Sequence, residues 1–178
     1  MKRMVNEFSD YARLPAPELA RLDLNDLIRE VLGLYETSQA SISLQLDPAL
    51  PPILGDATQM RQIIHNLLRN AEDAQHGEDV QEICVLTRQV GDMGELSVAD
   101  AGPGFPDELM SRVFEPYVTT KAGGTGLGLA IVKKIVDEHK GQIRINNRQP
   151  RGAEVSILLR LAPGASQPAG INEPSEES

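Results

Sequence analysis

The amino-acid sequence predicts an α/β domain. Segments with period-two apolar alternation interleave with amphipathic helical stretches along most of the chain. A glycine-rich loop, KAGGTGLGLA at residues 121–130, runs directly into one of those helices, and loops of this composition wrap ligands close to the backbone. With 178 residues, 40% of them hydrophobic, the chain can bury one core of ordinary size.

Residues 1–13 (MKRMVNEFSDYAR) set Met1, Met4, Val5, Phe8, Tyr11 and Ala12 at helical spacing, until Pro15 and Pro17 stop the helix. A lone amphipathic helix ahead of a proline-broken linker needs an outside partner for its apolar stripe. LDLNDLIREVLGLYETSQ, from Leu22, is a second helix with Asp23 or Asn25 at its cap. SISLQLD alternates as a strand does, and PALPPILGD is a turn-rich connection. A long helix from Ala57 to Gln75 aligns Met60, Ile63, Ile64, Leu67, Leu68, Ala71 and Ala74 in one apolar stripe. EICVLTRQV and ELSVAD are strands joined through GDMG. AGPGF opens a loop, PDELMSRVF is a short helix, and TGLGLAIVKKIVDEH is a helix that Gly141 ends. QIRINN and AEVSILLRL form a closing hairpin. From Ala162 the chain is Pro, Gly, Ser and Glu without apolar periodicity, which predicts a disordered tail.

Charge and cysteine content exclude several classes of function. With 26 acidic against 17 basic residues and a net charge of −9, the chain offers neither a nucleic-acid surface nor a polybasic membrane contact. Cys84 is the only cysteine, so no disulfide can form within the chain; a packed strand thiol in a reducing compartment is expected. No apolar run approaches the ~18 residues of a membrane span, and MKRMVNEFSD lacks the apolar stretch of a signal peptide. The chain is therefore expected to be soluble and cytoplasmic.

The glycine loop fails two phosphate-binding patterns. GxxxxGK[ST] requires a lysine that does not follow these glycines. A dinucleotide fingerprint requires GxGxxG directly after a strand, whereas Gly124, Gly126 and Gly128 give GxGxG after VFEPYVTTK. What remains is a flexible loop whose last residues become the first turn of a helix, where unpaired amides and the helix dipole favour an anion. By itself the segment suits a mobile surface loop equally well. In QMRQIIHNLLRNAEDA, Gln62, Asn66, Asn70 and Asp73 recur at steps of four, four and three and share one polar face. Asparagine is a mediocre helix former, and magnesium, which takes oxygen ligands and shares them with phosphates, is one reason for two in register; a solvated face is the other. In SVADAGPGF, Asp100 ends a strand with Gly102 and Gly104 behind it. A carboxylate could accept from the exocyclic amine of adenine and would repel the carbonyl of guanine, although an Asp followed by Gly is also a common turn. FEPYVTTK sets Phe114 and Pro116 ahead of Thr120 and Lys121 at the root of the glycine loop, a hinge and a phosphate-facing cation.

In order and spacing, NLLRNAEDA, DAGPGF, FEPYVTTK and GGTGLGLAIVKKIVDEHKG resemble the asparagine box, first glycine box, phenylalanine box and second glycine box of the ATP-binding domain of sensor histidine kinases. That domain is shared with gyrase, the Hsp90 chaperones and the MutL repair proteins. The resemblance covers roughly residues 20–162 and implies a two-layer α/β sandwich, a mixed β-sheet backed by α-helices on one face, preceded by one amphipathic helix. It implies ATP and Mg2+ as cofactors, with Asn70 as the magnesium-binding asparagine and Asn66 its partner one turn earlier. Asp100 resembles the adenine-reading aspartate beside Gly102 and Gly104. Asp73, Thr120, Lys121, Gly124, Thr125, Gly126, Leu127 and Gly128 fall in the same nucleotide-binding segments, and Asn66, Asn70 and Lys121 are the implied catalytic groups. The last glycine box departs from the family pattern, being reduced to Arg151, Gly152 and Ala153.

The implied organisation is residues 1–14 as the end of a dimerisation helix, 15–21 as a linker, 22–162 as the ATP-binding catalytic domain and 163–178 as a tail. Residues 1–14, ending FSDYARLP, resemble the end of the second dimerisation helix of kinases of the nitrogen-regulation sensor type, so the chain is expected to begin just after the acceptor helix. The superfamily's ATP hydrolases carry glutamate one turn before the metal-binding asparagine; Asn66 stands there and cannot act as a base, which favours phosphoryl transfer to an acceptor from elsewhere. His65, His76 and His139 lack an acceptor's sequence context and are read as surface histidines. The expected partners are the histidine-bearing dimerisation domain of the same kinase, in a full-length homodimer, and a response-regulator receiver domain, with an inner-membrane anchor open to the parent protein. The alternative is a nucleotide-dependent binding module or anti-sigma-type serine kinase of the same superfamily.

Overall fold

The computed structural model describes residues 8–36, 38–119 and 126–164. Alternating segments become strands β1 (Ala20–Leu22), β2 (Ser41–Leu46), β3 (Ile53–Gly55), β4 (Glu82–Val90), β5 (Met93–Asp100), β6 (Gln142–Asn147) and β7 (Ala153–Arg160). The amphipathic stretches become helices α1 (Leu24–Leu32), α2 (Ala57–Ala74) and α3 (Gly128–Glu138). Five strands form one mixed sheet in the order β2-β4-β5-β7-β6, with β2 parallel to β4 and the other pairs antiparallel. Register aligns Val85, Val98 and Val155 in one row and Thr87, Leu96 and Ile157 in the next. These residues are buried in the core shared with Met60, Ile63, Ile64, Leu67 and Leu68 of α2 and Ile131 and Ile135 of α3. The other face carries polar pairs, Ser97 with Ser156 and Arg88 with Glu95. The result is the two-layer sandwich implied by the resemblance.

Several elements differ from the sequence expectation. PALPPILGD contains β3, which pairs antiparallel with β1, made of the last two residues of the expected linker and of Leu22, where the second helix is expected to start; three-residue strands show no legible alternation, and their partner is distant in sequence. PDELMSRVF forms only a 3-10 turn at Asp107–Leu109, since Val113 is its one fully buried apolar side chain and an isolated short helix is marginal. Asp23 rather than Asn25 caps α1, accepting from Asp26 N at 3.0 Å. Asn25 is buried, donating to Asp47 O (2.7 Å) and accepting from Thr87 Oγ1 (2.7 Å). Lys140, not Gly141, takes the left-handed position after α3, at φ +58°. Gly141 serves close approach instead, since a Cβ there would lie 2.4 Å from Leu158 O.

Residues 8–12 are helical, and Tyr11 and Leu14 pack against the core. Lys134 Nζ donates to Tyr11 O at 2.7 Å and lies 5.0 Å from the centre of its ring. Gln59 Nε2 donates to Pro15 O (2.8 Å), and Glu18 N to Asp56 Oδ2 (2.8 Å). The domain thus supplies contacts for residues 11–18. Residues 1–7 of the expected dimerisation helix and the expected tail from residue 165 lie outside the described residues.

Candidate active site

The paired asparagines depend on how α2 begins. Asp56 caps it, its carboxylate accepting from Gln59 N at 3.1 Å and from Glu18 N at 2.8 Å. Burial alone would raise the Asp56 pKa, but the backbone N–H groups of Glu18, Gln59 and Thr58 outweigh it and hold the group below the ordinary carboxylate value. His139, expected at the surface, is buried: its Nδ1–H donates to Ile135 O (2.8 Å) and its Nε2 accepts from Asp56 N (3.1 Å). The ring therefore ties the end of α3 to the start of α2. His65 and His76 are exposed as expected. His65 Nδ1 shares a 2.6 Å hydrogen bond with the Tyr35 hydroxyl, whose pKa is pushed well above its ordinary value by burial first and then by the charges of Glu72 and Asp73.

From that anchored start, Asn66 and Asn70 stand one turn apart and half-buried, with Asp73 exposed beyond them. Asn66 Nδ2 donates to Gly128 O, the first residue of α3, at 3.3 Å. Gln62, predicted on the same polar face, lines a groove of about 320 Å³ between α1 and α2 with Val31, Leu34 and His65.

Asp100 ends β5 and is 4% exposed. Its Oδ1 accepts from Gly102 N at 2.9 Å and from Ala153 N at 3.3 Å. Gly102 is required by space: a Cβ there would meet Ala74 O at 2.7 Å. Gln75, fully buried after α2, donates to Ala71 O (3.1 Å) while its Oε1 accepts from Glu82 N (2.7 Å) and Ala101 N (3.2 Å). One side chain thus joins α2, β4 and the loop after Asp100.

At the other end of the site, Tyr117 N donates to Gly126 O at 3.0 Å, so the chain on both sides of residues 118–125 meets at a neck. Tyr117 holds φ +67° and Gly126 φ +70°, and a Cβ on Gly126 would lie 2.6 Å from the Tyr117 carbonyl carbon. Leu127 is fully buried in the core, so only its backbone can face a ligand. Among the described residues no side chain caps α3, and a Cβ on Gly128 would meet nothing within 4 Å. The helix start therefore combines amides without a side-chain cap and open space, which suits an anion. Phe114 and Pro116 are half-buried. Thr120, Lys121, Gly124 and Thr125 lie outside the described residues.

Residues 55–163 match the family of histidine kinase-, DNA gyrase B- and HSP90-like ATPases, more than half of the chain. The chain belongs to this family. A putative NtrY-like sensor histidine kinase of Rickettsia prowazekii is 38% identical over 163 residues, 90% of this chain and 27% of the relative, so the chain spans about a quarter of that protein. The catalytic domain of histidine kinase ThkA is 34% identical, with a TM-score of 0.73, over 80% of this chain and 95% of that one. The same kinase in complex with response regulator TrrA superposes at a TM-score of 0.74 and 26% identity, over 91% of this chain and 47% of that one. Full-length ShkA in complex with AMPPNP gives 0.77 and 29% identity over 90% of this chain and 36% of that one.

This ATPase-family domain brings together Asn66, the start of α3 and, through Gln75, the Asp100 loop. Sequence reading missed Gln75 and His139, whose isolated helix-end positions carry no motif. In sequence the hairpin turn after β6 reads only as a reduced glycine box, with no contact assigned to it. Gly152, at φ +109°, packs so closely that a Cβ would lie 2.1 Å from Asp100 O. The reduced last glycine box thus retains a contact with the aspartate; its signal was the one glycine left in it. Among the described residues no helix is long and apolar enough to cross a membrane.

Proposed function

We propose that this chain is the ATP-binding catalytic part of a two-component sensor histidine kinase, positioning Mg-ATP for transfer to a histidine on a dimerisation helix and relay to a response-regulator aspartate. The observation that carries this reading is Asn66. It occupies the position where the superfamily's hydrolases carry glutamate, and its amide is committed to Gly128 O at 3.3 Å. A carboxamide cannot deprotonate water, so hydrolysis lacks its base, while the tie from α2 to α3 sets Asn66 beside the helix start proposed to receive the phosphates. ATP, when bound, supplies the γ-phosphoryl group.

The residues present fit that ligand. Asn70 and Asn66 would hold magnesium through carboxamide oxygen, a donor type the ion accepts when phosphate and water complete its shell. Asp100 would accept from the adenine amine, with Gly102 and Gly104 letting the base approach the backbone. The first turn of α3, with the backbone of Gly126, Leu127 and Gly128, would receive the phosphates. Asp73, Thr120, Lys121, Gly124 and Thr125 complete the proposed set, Lys121 as a cation. Such a site works by orientation and charge stabilisation, so its rate depends on how the acceptor nitrogen is brought in line. In the parent protein we assign the acceptor to a homodimeric dimerisation domain and the site to the cytoplasm, with residues 1–14 as the end of the dimerisation helix, 15–21 as a linker and 22–162 as the catalytic domain.

The test is incubation with radiolabelled ATP, with and without a separately purified acceptor domain. The chain alone is expected to take no label and release little phosphate, and to place acid-labile, base-stable label on the acceptor. Stable label on the chain itself or on serine would overturn the reading, and rapid phosphate release would overturn the inference from Asn66.

A further inference from the structure

The turn between β6 and β7 reaches the whole length of the loop that follows Asp100. Asn147 Oδ1 accepts from Phe105 N and its Nδ2 donates to Phe105 O, both at 2.8 Å, closing the loop's far end. Arg151 Nε donates to Gly102 O at 3.1 Å in the middle. Arg148 Nη1 donates to Asp100 O at 3.0 Å, the near end. Arg148 N also donates to Gly152 O at 2.8 Å, so its side chain leaves from a closed turn.

Asn147, Arg148 and Arg151 are exposed and add nothing to the core. Each directs its side chain onto the main chain of one short loop, DAGPGF, which contains two glycines and would hold its carboxylate poorly alone. Telling an amine donor from a carbonyl acceptor on a base requires the Asp100 oxygens to be held to within ~0.5 Å. We propose that the β6–β7 turn sets the base selectivity of the site, with Arg148 and Asn147 as positioning residues for Asp100. This inference rests on Asp100 being the adenine acceptor.

The consequence is an effect on one nucleotide and not on the other. A guanine bound in the adenine pose sets its O6 carbonyl where the amine would be and gains nothing from the Asp100 acceptor there, so loosening the turn weakens ATP selectively. A general loss of structure weakens ATP and GTP together.

The experiment measures Kd for ATP and GTP, with magnesium, on the full chain and on Arg148→Met, Arg148→Lys, Asn147→Ala and Asp100→Asn, each checked for cooperative unfolding. Arg148→Met, which keeps the stem and loses the guanidinium, is expected to weaken ATP about fivefold, as for loss of one hydrogen bond of ordinary strength, with GTP unchanged. Arg148→Lys should recover part of that loss, and Asn147→Ala should move the ratio in the same direction. An unchanged ATP-to-GTP ratio in folded Arg148→Met and Asn147→Ala, or equal weakening of both nucleotides, overturns the role of the turn. If Arg148→Met does not fold, Asn147→Ala and Arg148→Lys decide by the same ratio. Asp100→Asn separates the two levels: a ratio unmoved by this change overturns the adenine assignment, and this proposal with it. A ratio that falls for Asp100→Asn and stays constant for the turn variants removes the turn alone.

Discussion

The two ends of the proposed nucleotide site are built differently. At the base end, Asp100 is buried at the end of a central strand, its Oδ1 takes two backbone N–H groups, and the following loop is held by Gln75 from one side and by the β6–β7 turn from the other. At the phosphate end, the described contacts are fewer: Tyr117 N to Gly126 O at the neck and Asn66 Nδ2 to Gly128 O across to α2. The base end is held by several groups at once, and each contact described at the phosphate end runs from one donor to one backbone oxygen. Selection of the base can therefore be preorganised by the sheet, while the neck beside the phosphates depends on the left-handed conformation of Gly126.

The largest expected effect separates the ends by their ligands. Asp100→Asn and Asn70→Ala should each weaken Mg-ATP binding by about tenfold or more, roughly 1.4 kcal/mol, as for loss of a charge-assisted hydrogen bond or a metal ligand. Repeating the titration in excess EDTA should abolish the Asn70→Ala effect and leave that of Asp100→Asn. If EDTA treats the two variants alike, the division into a base end and a metal end fails.

A smaller effect is expected at the neck. Gly126→Ala places a Cβ 2.6 Å from the Tyr117 carbonyl carbon in a residue at φ +70°. Strain of this kind costs about 1–3 kcal/mol, and it is local to the phosphate end. ATP affinity should fall several-fold while affinity for adenosine, which lacks phosphates, stays constant in calorimetric titration. Loss of adenosine binding would show that the ends are coupled and not separable.

The smallest effect concerns the anchor that both ends share. Asp56 titrates below its ordinary value of 3.8 in the folded protein, so its ionised cap contributes stability above that pH and loses it as the pH falls through the folded value. Asp56→Asn should therefore be less stable than the parent near neutrality, by about 1 kcal/mol or less given the exposure of the cap. The difference should shrink in urea melts taken below pH 3.8 and go on shrinking as the pH falls further. A difference that persists undiminished in acid would assign the contribution of Asp56 to something other than its charge.

Most of the sandwich was legible because its elements are long and strongly periodic. The apolar stripe from Met60 to Ala71 became the buried face of α2, and the alternation in EICVLTRQV and AEVSILLRL became β4 and β7. What escaped were pieces whose stability comes from partners remote in sequence. ILG at residues 53–55 is a strand because residues 20–22 and Leu161 lie beside it. His139 is not at the surface because Asp56 N, 83 residues away in sequence, takes its Nε2. PDELMSRVF, read as a helix, has too little apolar surface to hold one.

By itself the sequence determined the family, through four motifs whose order and spacing need no coordinates, and with it the candidate pairing of Asn66 with Asn70 and the candidate role of Asp100. Those are local facts: helical period sets the asparagines one turn apart, and residue type sets what each atom can donate or accept. Only the tertiary structure decided what holds Asp100 in place. Gln75, Asn147 and Arg148 belong to no shared motif, and they hold the main chain from Asp100 to Phe105, the last two because the antiparallel pairing of β5 with β7 lays Ala153 and the turn before it alongside the end of β5. Such a contact depends on strand register, and register is set by the packing of the whole sheet against its helices.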